Sequence, residues 1–214
     1  MKKGVDNILM EGSRAVGCPL GERECVLFRL YHDELIFWNR KLSLVSRSAP
    51  RDLIVKHFID SLAVVPFIEK TALNLLDIGS GAGFPGLPIK IAMDALQVTL
   101  VDGSRKKVSF LKHLIRKLHL SNVSVFNERI ETFGNRPFDV VISRASFKLP
   151  RFLELGGPFV APEGTLIAMK GPNAEEELAA CRPVAARLGI SPPERHDITL
   201  PFTGDSRSIL LFRK

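Results

Sequence analysis

The chain has 214 residues, of which 45% are hydrophobic, and this provides ample material for the core of one domain with an appendage. Its formal net charge is +7 and its pI is about 9.5. The basic balance favours a polyanionic partner such as nucleic acid, but it specifies neither a fold nor a base sequence.

Cysteine usage and apolar runs exclude further classes of protein. Cys18, Cys25 and Cys181 are odd in number and lack the spacing of metal ligands. We therefore expect reduced thiols, with no disulfide framework and no bound metal. The best apolar run, Leu62 to Ile68, is interrupted by Pro66 and is too short to cross a bilayer. These features predict a cytoplasmic protein that does not associate with membranes.

The N-terminal third of the chain has a helical pattern. Between Glu22 and Lys41, apolar residues recur every three or four positions, which predicts one amphipathic helix. Its predicted buried face carries Val26, Leu27, Leu30, Tyr31, Leu35 and Trp38. A second helical run, from Arg51 to about Val65, follows the break at Ala49-Pro50. Residues 1–70 are therefore predicted to be a helical appendage packed against a second region, residues 71–214.

From Leu73 onward, β-rich segments alternate with helical ones. The predicted strands are Leu73–Ile78, Gln97–Val101, Val123–Asn127, Phe138–Ser143 and Gly164–Lys170, and the predicted helices include Ser104–Leu118 and Asn173–Leu188. Such alternation predicts a doubly wound α/β fold, in which a parallel sheet has right-handed crossovers and helices on both faces. Glu194–Leu200 and Arg207–Arg213 are joined too closely for a helical crossover and should form an antiparallel hairpin.

The segment from Leu75 to Gly86 carries the strongest functional signal. It reads Leu-Leu-Asp-Ile-Gly-Ser-Gly-Ala-Gly-Phe-Pro-Gly, an apolar run that ends in an acid and a glycine-rich turn. Gly79, Gly81 and Gly83 tolerate positive φ and let the backbone approach a ligand closely. A nucleoside-shaped cofactor is expected.

The spacing of this turn leaves the identity of the nucleoside open. Gly81-x-Gly83-x-x-Gly86 also fits the dinucleotide fingerprint, with Asp102 at about the twenty-residue offset of a ribose-binding acid. Asp77, just inside the strand end, suits the ammonium and sulfonium groups of S-adenosylmethionine and would be unfavourable beside a pyrophosphate. We therefore favour S-adenosylmethionine over a nicotinamide dinucleotide.

Residues at the carboxyl ends of the strands are the site candidates, because ligands of doubly wound sheets bind there. Asp102 can accept hydrogen bonds from both ribose hydroxyls, or it can cap the helix near Ser104. Ile130 can cover an adenine and Glu131 can meet its amino group, although Glu131 can also be an ordinary helix-start acid. Arg144 and Lys170 place cations at the mouth of the cleft, where each can also be merely solvated; these alternatives stay open.

Taken together, residues 74–171 resemble one family, the bacterial small-subunit ribosomal RNA guanine-N7 methyltransferases, also called glucose-inhibited division protein B. The resembling segments are Asp77–Gly86, Val101–Leu111, Glu128–Glu131, Ser143–Ala145 and Met169–Gly171, with Trp38-Asn39 and His57–Leu62 upstream. The resemblance implies a class I methyltransferase fold, in which the final hairpin distinguishes the sheet from that of dehydrogenases.

The resemblance also implies a cofactor, a substrate and site residues. S-adenosylmethionine is held by Gly79, Phe84, Ile130, Glu131 and Arg144, and the motif adds Gly81 and Asp102 to this set. Candidate catalytic residues are Arg144, Lys170, Arg129 and Arg207, the basic residues of the cleft. The implied partner is 16S ribosomal RNA or the small ribosomal subunit, and the implied substrate is a guanine in a loop of that RNA. We expect a monomeric enzyme.

The implied chemistry requires no general base. The N7 atom of guanine has a lone pair and no proton, so methyl transfer depends mainly on alignment of the reacting atoms. We assign Arg144 and Lys170 to that alignment, through a phosphate or the guanine O6 edge.

Trp38 can stack on a base or belong to the core, and His57 and Asp60 can lie near the cofactor or form a local pair.

Three further interpretations stay open from the sequence. One is a small-molecule oxidoreductase that uses NAD, the second is a ribosome-binding protein without activity, and the third is a methyltransferase that acts on another RNA or on a metabolite.

On the helix Ser104–Leu118, the basic residues Arg105, Lys112 and Arg116 lie away from the predicted buried stripe. They can contact RNA phosphates or form a solvated face.

Overall fold

The computed structural model describes residues 2–46, 49–134, 136–144, 146–171 and 174–214. Ala145, in one of the family-like segments, and Asn173, the predicted start of the last helix, lie outside the described residues. The helices are α1 (Lys2–Ala15), α2 (Glu22–Leu42), α3 (Pro50–Leu53), α4 (Asp60–Leu62), α5 (Gly86–Ala92), α6 (Arg105–Lys117), α7 (Leu149–Gly156) and α8 (Ala174–Arg187). The strands are β1 (Asn74–Ile78), β2 (Gln97–Val101), β3 (Val123–Phe126), β4 (Phe138–Arg144), β5 (Val160–Lys170), β6 (Glu194–Thr199) and β7 (Ser206–Arg213).

The strands form one sheet in the order β3-β2-β1-β4-β5-β7-β6. Strands β1 to β5 pair in parallel, and β7 lies antiparallel between β5 and β6. The predicted mostly parallel sheet and its C-terminal hairpin are confirmed. Strand β5 begins at Val160, four residues before the predicted Gly164, because Val160 pairs with Phe138 before the register shifts. All carboxyl ends of the parallel strands therefore meet at one edge.

Each face of the sheet has its own hydrophobic core. Alternation along a strand sends Leu75 to one face and Leu76 to the other. The first face is covered by α1, α2, the helical segment around Phe58, α5 and α6, and the second face by α7 and α8. Because Phe28 and Phe58 share a core with the sheet residues, the N-terminal helices are packed directly onto the sheet.

Helix α2 is present as predicted, but its buried face is rotated. The buried residues are Cys25, Phe28, Tyr31, His32 and Leu35. Tyr31 and Leu35 were predicted to be buried, whereas the expectation for Val26 and Leu30 is wrong, since these side chains are 43% and 37% exposed. The physical reason is that Phe28 fills the space against Phe58, with ring centroids 5.2 Å apart, and this contact sets the rotation of the helix.

The second predicted helical run is not a uniform helix. Between α3 and α4 the segment Ile54–Ile59 is π-helical, and the run ends at Leu62 before a 3₁₀ turn at Val65–Phe67. A π-helical turn rotates the residues that follow it relative to an α-helix, and such turns are frequent at functional sites. Here it precedes Asp60, which is buried although it is charged.

In the described part of the chain, none of the helices is both long and apolar enough to cross a membrane. The same residues contain no group of three His, Cys, Asp or Glu side chains placed to hold a metal ion. Cys18, Cys25 and Cys181 are buried free thiols. Burial raises the pKa of the Cys18 thiol to about 11, so this sulfur is not a nucleophile at neutral pH.

Asp77 joins β1 to α5 inside the core. Its side chain is 0% exposed, and Oδ2 accepts the N–H of Gly86, the first residue of α5, at 2.8 Å. The other oxygen, Oδ1, is buried and has no hydrogen-bond partner among the described residues. Burial raises the pKa of Asp77 to about 7, although the Gly86 N–H and Arg144 oppose this rise. The carboxyl group therefore releases its proton much more readily in the unfolded chain.

This pKa makes a testable prediction about stability. Between about pH 4 and pH 7 the folded state holds the Asp77 proton and the unfolded state does not, so wild-type stability falls as pH rises. The contribution of this one group is at most roughly 1.4 kcal/mol per pH unit. We expect the free energy of unfolding of Asp77→Asn, relative to wild type, to increase over this pH range and to level off above pH 7. Urea titrations at four pH values measure the difference, and a difference independent of pH contradicts the prediction.

Candidate active site

A crevice of about 260 Å³ opens at the carboxyl ends of β1, β2 and β3. Its volume lies near the lower end of the range of small-molecule sites, roughly 300 to 1,000 Å³. The lining residues are Ile78, Gly79, Val101, Asp102, Gly103, Glu128, Arg129, Ile130, Glu131 and Phe147. Gly79, Asp102, Arg129, Ile130 and Glu131 were predicted site residues, and the fold brings them together.

Asp102 links the crevice to the glycine turn. Its Oδ2 accepts the N–H of Gly81 at 2.8 Å, and its Oδ1 accepts the N–H of Ser104 at 2.8 Å. The two alternatives for this residue are therefore compatible, because the same carboxylate bonds to the helix-start backbone and lines the crevice. A carboxylate has about four acceptor positions, so two further hydrogen bonds can be made from the crevice.

The glycine turn is shaped by protein packing as well as by ligand access. Gly79, Gly81 and Gly83 all have positive φ, of 73°, 58° and 104°. A Cβ at Gly83 would lie 2.6 Å from the Tyr31 hydroxyl, whereas a Cβ at Gly81 would meet nothing closer than 3.9 Å. The Tyr31 hydroxyl donates to the carbonyl of Ala82 at 2.6 Å, so α2 supports this turn from behind.

The crevice combines an apolar surface with charged groups at its rim. Ile130 is 5% exposed and lies in the core on the second face of the sheet. Glu131 is exposed, and its carboxylate pairs with Arg151 at 2.8 Å. Arg129 is an exposed cation beside it. Such a surface can cover the flat face of a base and leave polar groups for its edge.

Sequence reasoning missed five lining residues: Ile78, Val101, Gly103, Glu128 and Phe147. Gly103 directly follows Asp102, and a Cβ there would lie 3.8 Å from the Cγ atom of Arg129, which is an ordinary van der Waals contact. Glu128 belongs to a segment that was quoted for the family resemblance. Phe147 has no sequence signal, because it reaches the crevice from the loop after β4.

The five remaining predicted residues are not among the residues that line the crevice: Gly81, Phe84, Arg144, Lys170 and Arg207. Phe84 is 5% exposed and stacks on Tyr31, with ring centroids 5.4 Å apart. The His57 ring stacks on Phe84 at 4.9 Å, and the Arg144 guanidinium lies 5.0 Å from the centre of the Phe84 ring. Phe84 thus supports a cation at the end of β4.

Arg144 and Arg207 meet at one buried carboxylate, Asp60. Arg144 Nη1 donates to Asp60 Oδ2 at 3.0 Å, and Arg207 Nε donates to Asp60 Oδ1 at 3.1 Å. The Asp60 side chain is only 6% exposed, and those of Arg144 and Arg207 are 14% and 22% exposed. Burial raises the pKa of Asp60, and the two guanidinium groups oppose that rise. Three charges on three distant segments therefore form one cluster.

His57 completes this group, which we call the Asp60 cluster (His57, Asp60, Arg144 and Arg207). Arg144 Nη2 lies 2.9 Å from His57 Nδ1. Arginine cannot accept a hydrogen bond, so Nδ1 is the acceptor and the ring proton lies on Nε2. Burial, Arg144 and Lys56 lower the pKa of His57 to about 3, which keeps the ring neutral. His57 and Asp60 are thus joined through Arg144 and not as a local pair.

Lys170, at the end of β5, is held by two acceptors. Its Nζ donates to the carbonyl of Phe147 at 2.5 Å and to Glu177 of α8 at 2.7 Å. Glu177 also accepts the N–H of Leu149 at 2.5 Å. Because Phe147 lines the crevice, Lys170 fixes the backbone of a crevice residue. Its side chain is 10% exposed.

The structure also shows where Asp77, Trp38 and the basic residues of α6 lie. Asp77 was expected to face a cofactor's ammonium and sulfonium groups, but it is buried against Gly86 and does not line the crevice. Trp38 is partly buried, and its Nε1 donates to Glu34 at 3.1 Å. On α6, Arg105, Lys112 and Arg116 are exposed, as predicted from the position of the buried stripe.

Comparison with proteins of known family gives a consistent result. Residues 24–194 match the family model GidB, described as rRNA small subunit methyltransferase G. The protein of Syntrophus aciditrophicus named Ribosomal RNA small subunit methyltransferase G is 45% identical over 97% of this chain and 88% of its own length. The protein of the same name from Bacillus subtilis is 37% identical over 92% of this chain and 85% of its own length.

Solved structures share the fold at low sequence identity. Magnesium protoporphyrin IX methyltransferase from Synechocystis PCC 6803, determined with bound SAM, has a TM-score of 0.63 at 15% identity and covers 91% of this chain and 98% of its own. A methyltransferase from Pyrococcus furiosus has a TM-score of 0.63 at 17% identity, over 87% of this chain and 97% of its own. These likenesses confirm the predicted fold class.

The match to the family model covers most of the chain, including every segment that lines the crevice. The relatives match at more than 30% identity over nearly the whole length of both proteins. The resemblance inferred from the sequence is thereby confirmed, and with it the predicted enzyme class, methyltransferase, and the predicted cofactor, S-adenosylmethionine. The chain belongs to the GidB family of ribosomal RNA small subunit methyltransferases.

Proposed function

We propose that this protein transfers the methyl group of S-adenosylmethionine to the N7 atom of a guanine in a loop of 16S ribosomal RNA. The observation that carries the proposal is the position of Asp102, whose carboxylate bonds to the glycine turn and lines the crevice in a chain of this family. Family membership argues against the NAD-dependent oxidoreductase that the glycine spacing left open. We further infer that the protein acts as a monomer in the cytoplasm, on 16S ribosomal RNA or the small ribosomal subunit.

The residues of the crevice fit the adenosine part of the cofactor. Asp102 retains acceptor capacity for the two ribose hydroxyls after its bonds to Gly81 and Ser104. Gly103, which has no side chain, lines the crevice next to that carboxylate and leaves room for a sugar. Ile130 provides an apolar surface for the adenine, and the Phe147 side chain lies in the same crevice. When bound, S-adenosylmethionine supplies a methyl group on a positively charged sulfur.

The chain's contribution to the reaction is orientation. Guanine N7 carries a lone pair and no proton, so no side chain has to remove one. Arg144 and Lys170 lie at the carboxyl ends of β4 and β5, next to the crevice strands, and can hold a phosphate or the O6 edge of the guanine. We propose Arg129 and Arg207 as further cations on this side. Accurate alignment of reacting atoms can lower the barrier by several kcal/mol.

The cofactor site is tested with Asp102→Asn. This substitution keeps the shape of the side chain but removes the charged carboxylate that would accept hydrogen bonds from the ribose hydroxyls. Hydrogen bonds to charged groups contribute about 1.5 to 3 kcal/mol each. We expect the Kd for S-adenosylmethionine, measured by isothermal titration calorimetry, to rise about 10- to 100-fold, with no binding of NAD by the wild type. The control is Asp139→Asn, because Asp139 also accepts two backbone N–H groups but lies at the opposite edge of the sheet. Equal affinities of the two variants contradict the assignment.

The substrate is tested with radiolabelled methyl transfer to purified 16S ribosomal RNA and to small subunits. We expect Arg144→Ala and Lys170→Ala to lose activity roughly 100-fold, because misalignment of the reacting atoms by about 1 Å has an effect of this size. Circular dichroism should show a retained fold. Lys214→Ala is the control for Lys170, since Lys214 Nζ also donates to backbone carbonyls, those of Gly157 and Val160. Unchanged activity of both variants on RNA rules out the orienting role.

The labelled nucleotide distinguishes the proposal from its alternatives. N7-methylguanine is identified by digestion and mass spectrometry of RNA from cells with and without the protein. The proposal is supported if N7-methylguanine is present in RNA from cells with the protein and absent from RNA of cells without it. Binding to ribosomes without methyl transfer indicates the inactive ribosome-binding protein instead.

A further inference from the structure

The Asp60 cluster brings together three distant segments of the chain. His57 and Asp60 come from the π-helical turn and the start of α4, whereas Arg144 and Arg207 come from β4 and β7. Asp60 and Arg207 are 147 positions apart in the sequence. None of the four side chains lines the crevice. The cluster is therefore a separate part of the carboxyl edge of the sheet.

Arg144 is held in one orientation by contacts on several sides. Its Nη1 donates to Asp60 and to the Lys56 carbonyl, both at 3.0 Å, and its Nη2 donates to His57. Phe84 supports the face of the guanidinium. Each of the acceptors belongs to the helical segment before β1. A guanidinium held by planar, directional hydrogen bonds has little rotational freedom left.

Charge gives Asp60 a second effect. Arg144 and Arg207 repel one another, and Asp60 lies between them with one oxygen toward each. Because His57 is neutral, the cluster carries two positive charges and one negative charge. Removing the buried carboxylate leaves two poorly solvated cations close together, which is strongly unfavourable and drives them apart. Asp60 therefore determines where Arg144 lies and helps to hold Arg207, which also pairs with Asp205 at 3.8 Å.

We propose that Asp60 is a positioning residue for methyl transfer, which fixes Arg144 and Arg207 for the RNA substrate, and that His57 assists it as a neutral acceptor. The N-terminal helical segment thereby completes the RNA side of the active site. This inference rests on the proposed function. Because the cluster does not line the crevice that fits the adenosine part of the cofactor, its effect is expected to fall on transfer to RNA more than on binding of S-adenosylmethionine.

The test uses Asp60→Asn, which keeps the side-chain shape and removes the charge. We expect kcat for methyl transfer to small subunits to fall at least 10-fold, while the Kd for S-adenosylmethionine stays within twofold. Asp6→Asn is the matched control. Asp6 also pairs with an arginine, Arg29, at 2.6 Å, but this ion pair joins α1 to α2. This control should retain wild-type kcat. A kcat of Asp60→Asn equal to that of the control, or a Kd that rises in parallel with the loss of kcat, overturns the proposal.

A substitution at His57 provides a second test in case Asp60→Asn does not fold. His57→Phe keeps the ring against Phe84 but removes the acceptor for Arg144, and we expect a fall in kcat of at least fivefold. His57→Asn restores an acceptor oxygen near the position of Nδ1 and should recover most of the activity. Equal activity of these two variants contradicts the acceptor role of His57.

One readout does not depend on the reaction. In nitrogen-15 NMR spectra, the Arg144 side-chain N–H signals, assigned with Arg144→Lys, should exchange with solvent at least 10-fold faster in Asp60→Asn than in wild type. If wild-type protein transfers no methyl group to RNA, the proposed function fails, and this exchange rate still decides whether Asp60 holds Arg144. Unchanged exchange shows that it does not.

Discussion

The glycine turn after β1 is the constraint on which the site depends. Its backbone polar groups need hydrogen-bond partners, and because glycine has no side chain, other elements must provide them. Three elements provide those partners. Asp77 of β1 accepts the Gly86 N–H, Asp102 after β2 accepts the Gly81 N–H, and Tyr31 of α2 donates to the Ala82 carbonyl. The turn is thus fixed from the sheet and from the N-terminal helices at once, and the crevice beside it has a defined shape.

The carboxyl edge of the sheet has two parts with different chemistry. The crevice combines an acid, an apolar surface and backbone groups, which suits an uncharged nucleoside. The Asp60 cluster contributes two guanidinium groups, held by Asp60 and, for Arg207, also by Asp205, and such groups suit an anionic RNA. Ser146 lies between them, since its hydroxyl donates toward the carbonyls of both Gly79 and Arg144. A methyltransferase needs both parts close together, because donor and acceptor must be aligned in one complex.

The buried ionisable groups around this edge have separate roles. Asp77 and Asp60 are both buried carboxyl groups, and burial raises the pKa of each. Asp77 has only a backbone N–H as a partner, whereas Asp60 has two guanidinium groups that favour its charged form. The first therefore acts in the packing of β1 against α5, and the second retains a charge that organises neighbouring cations. Their hydrogen-bond partners, and not their burial, separate these two roles.

Much of the fold and part of the site followed from the sequence by itself. The period of the apolar residues determined the strands and most helices, the short last connection determined the antiparallel hairpin, and the glycine turn with Asp102 located the crevice. Local patterns suffice for these features because they act over a few residues. Only the tertiary structure decided that Phe28 replaces Val26 in the core, that Phe147 enters the crevice, and that Asp60 is shared by two arginines. These contacts join residues far apart in the chain, and their geometry is set by how the helices pack on the sheet, which no local period encodes.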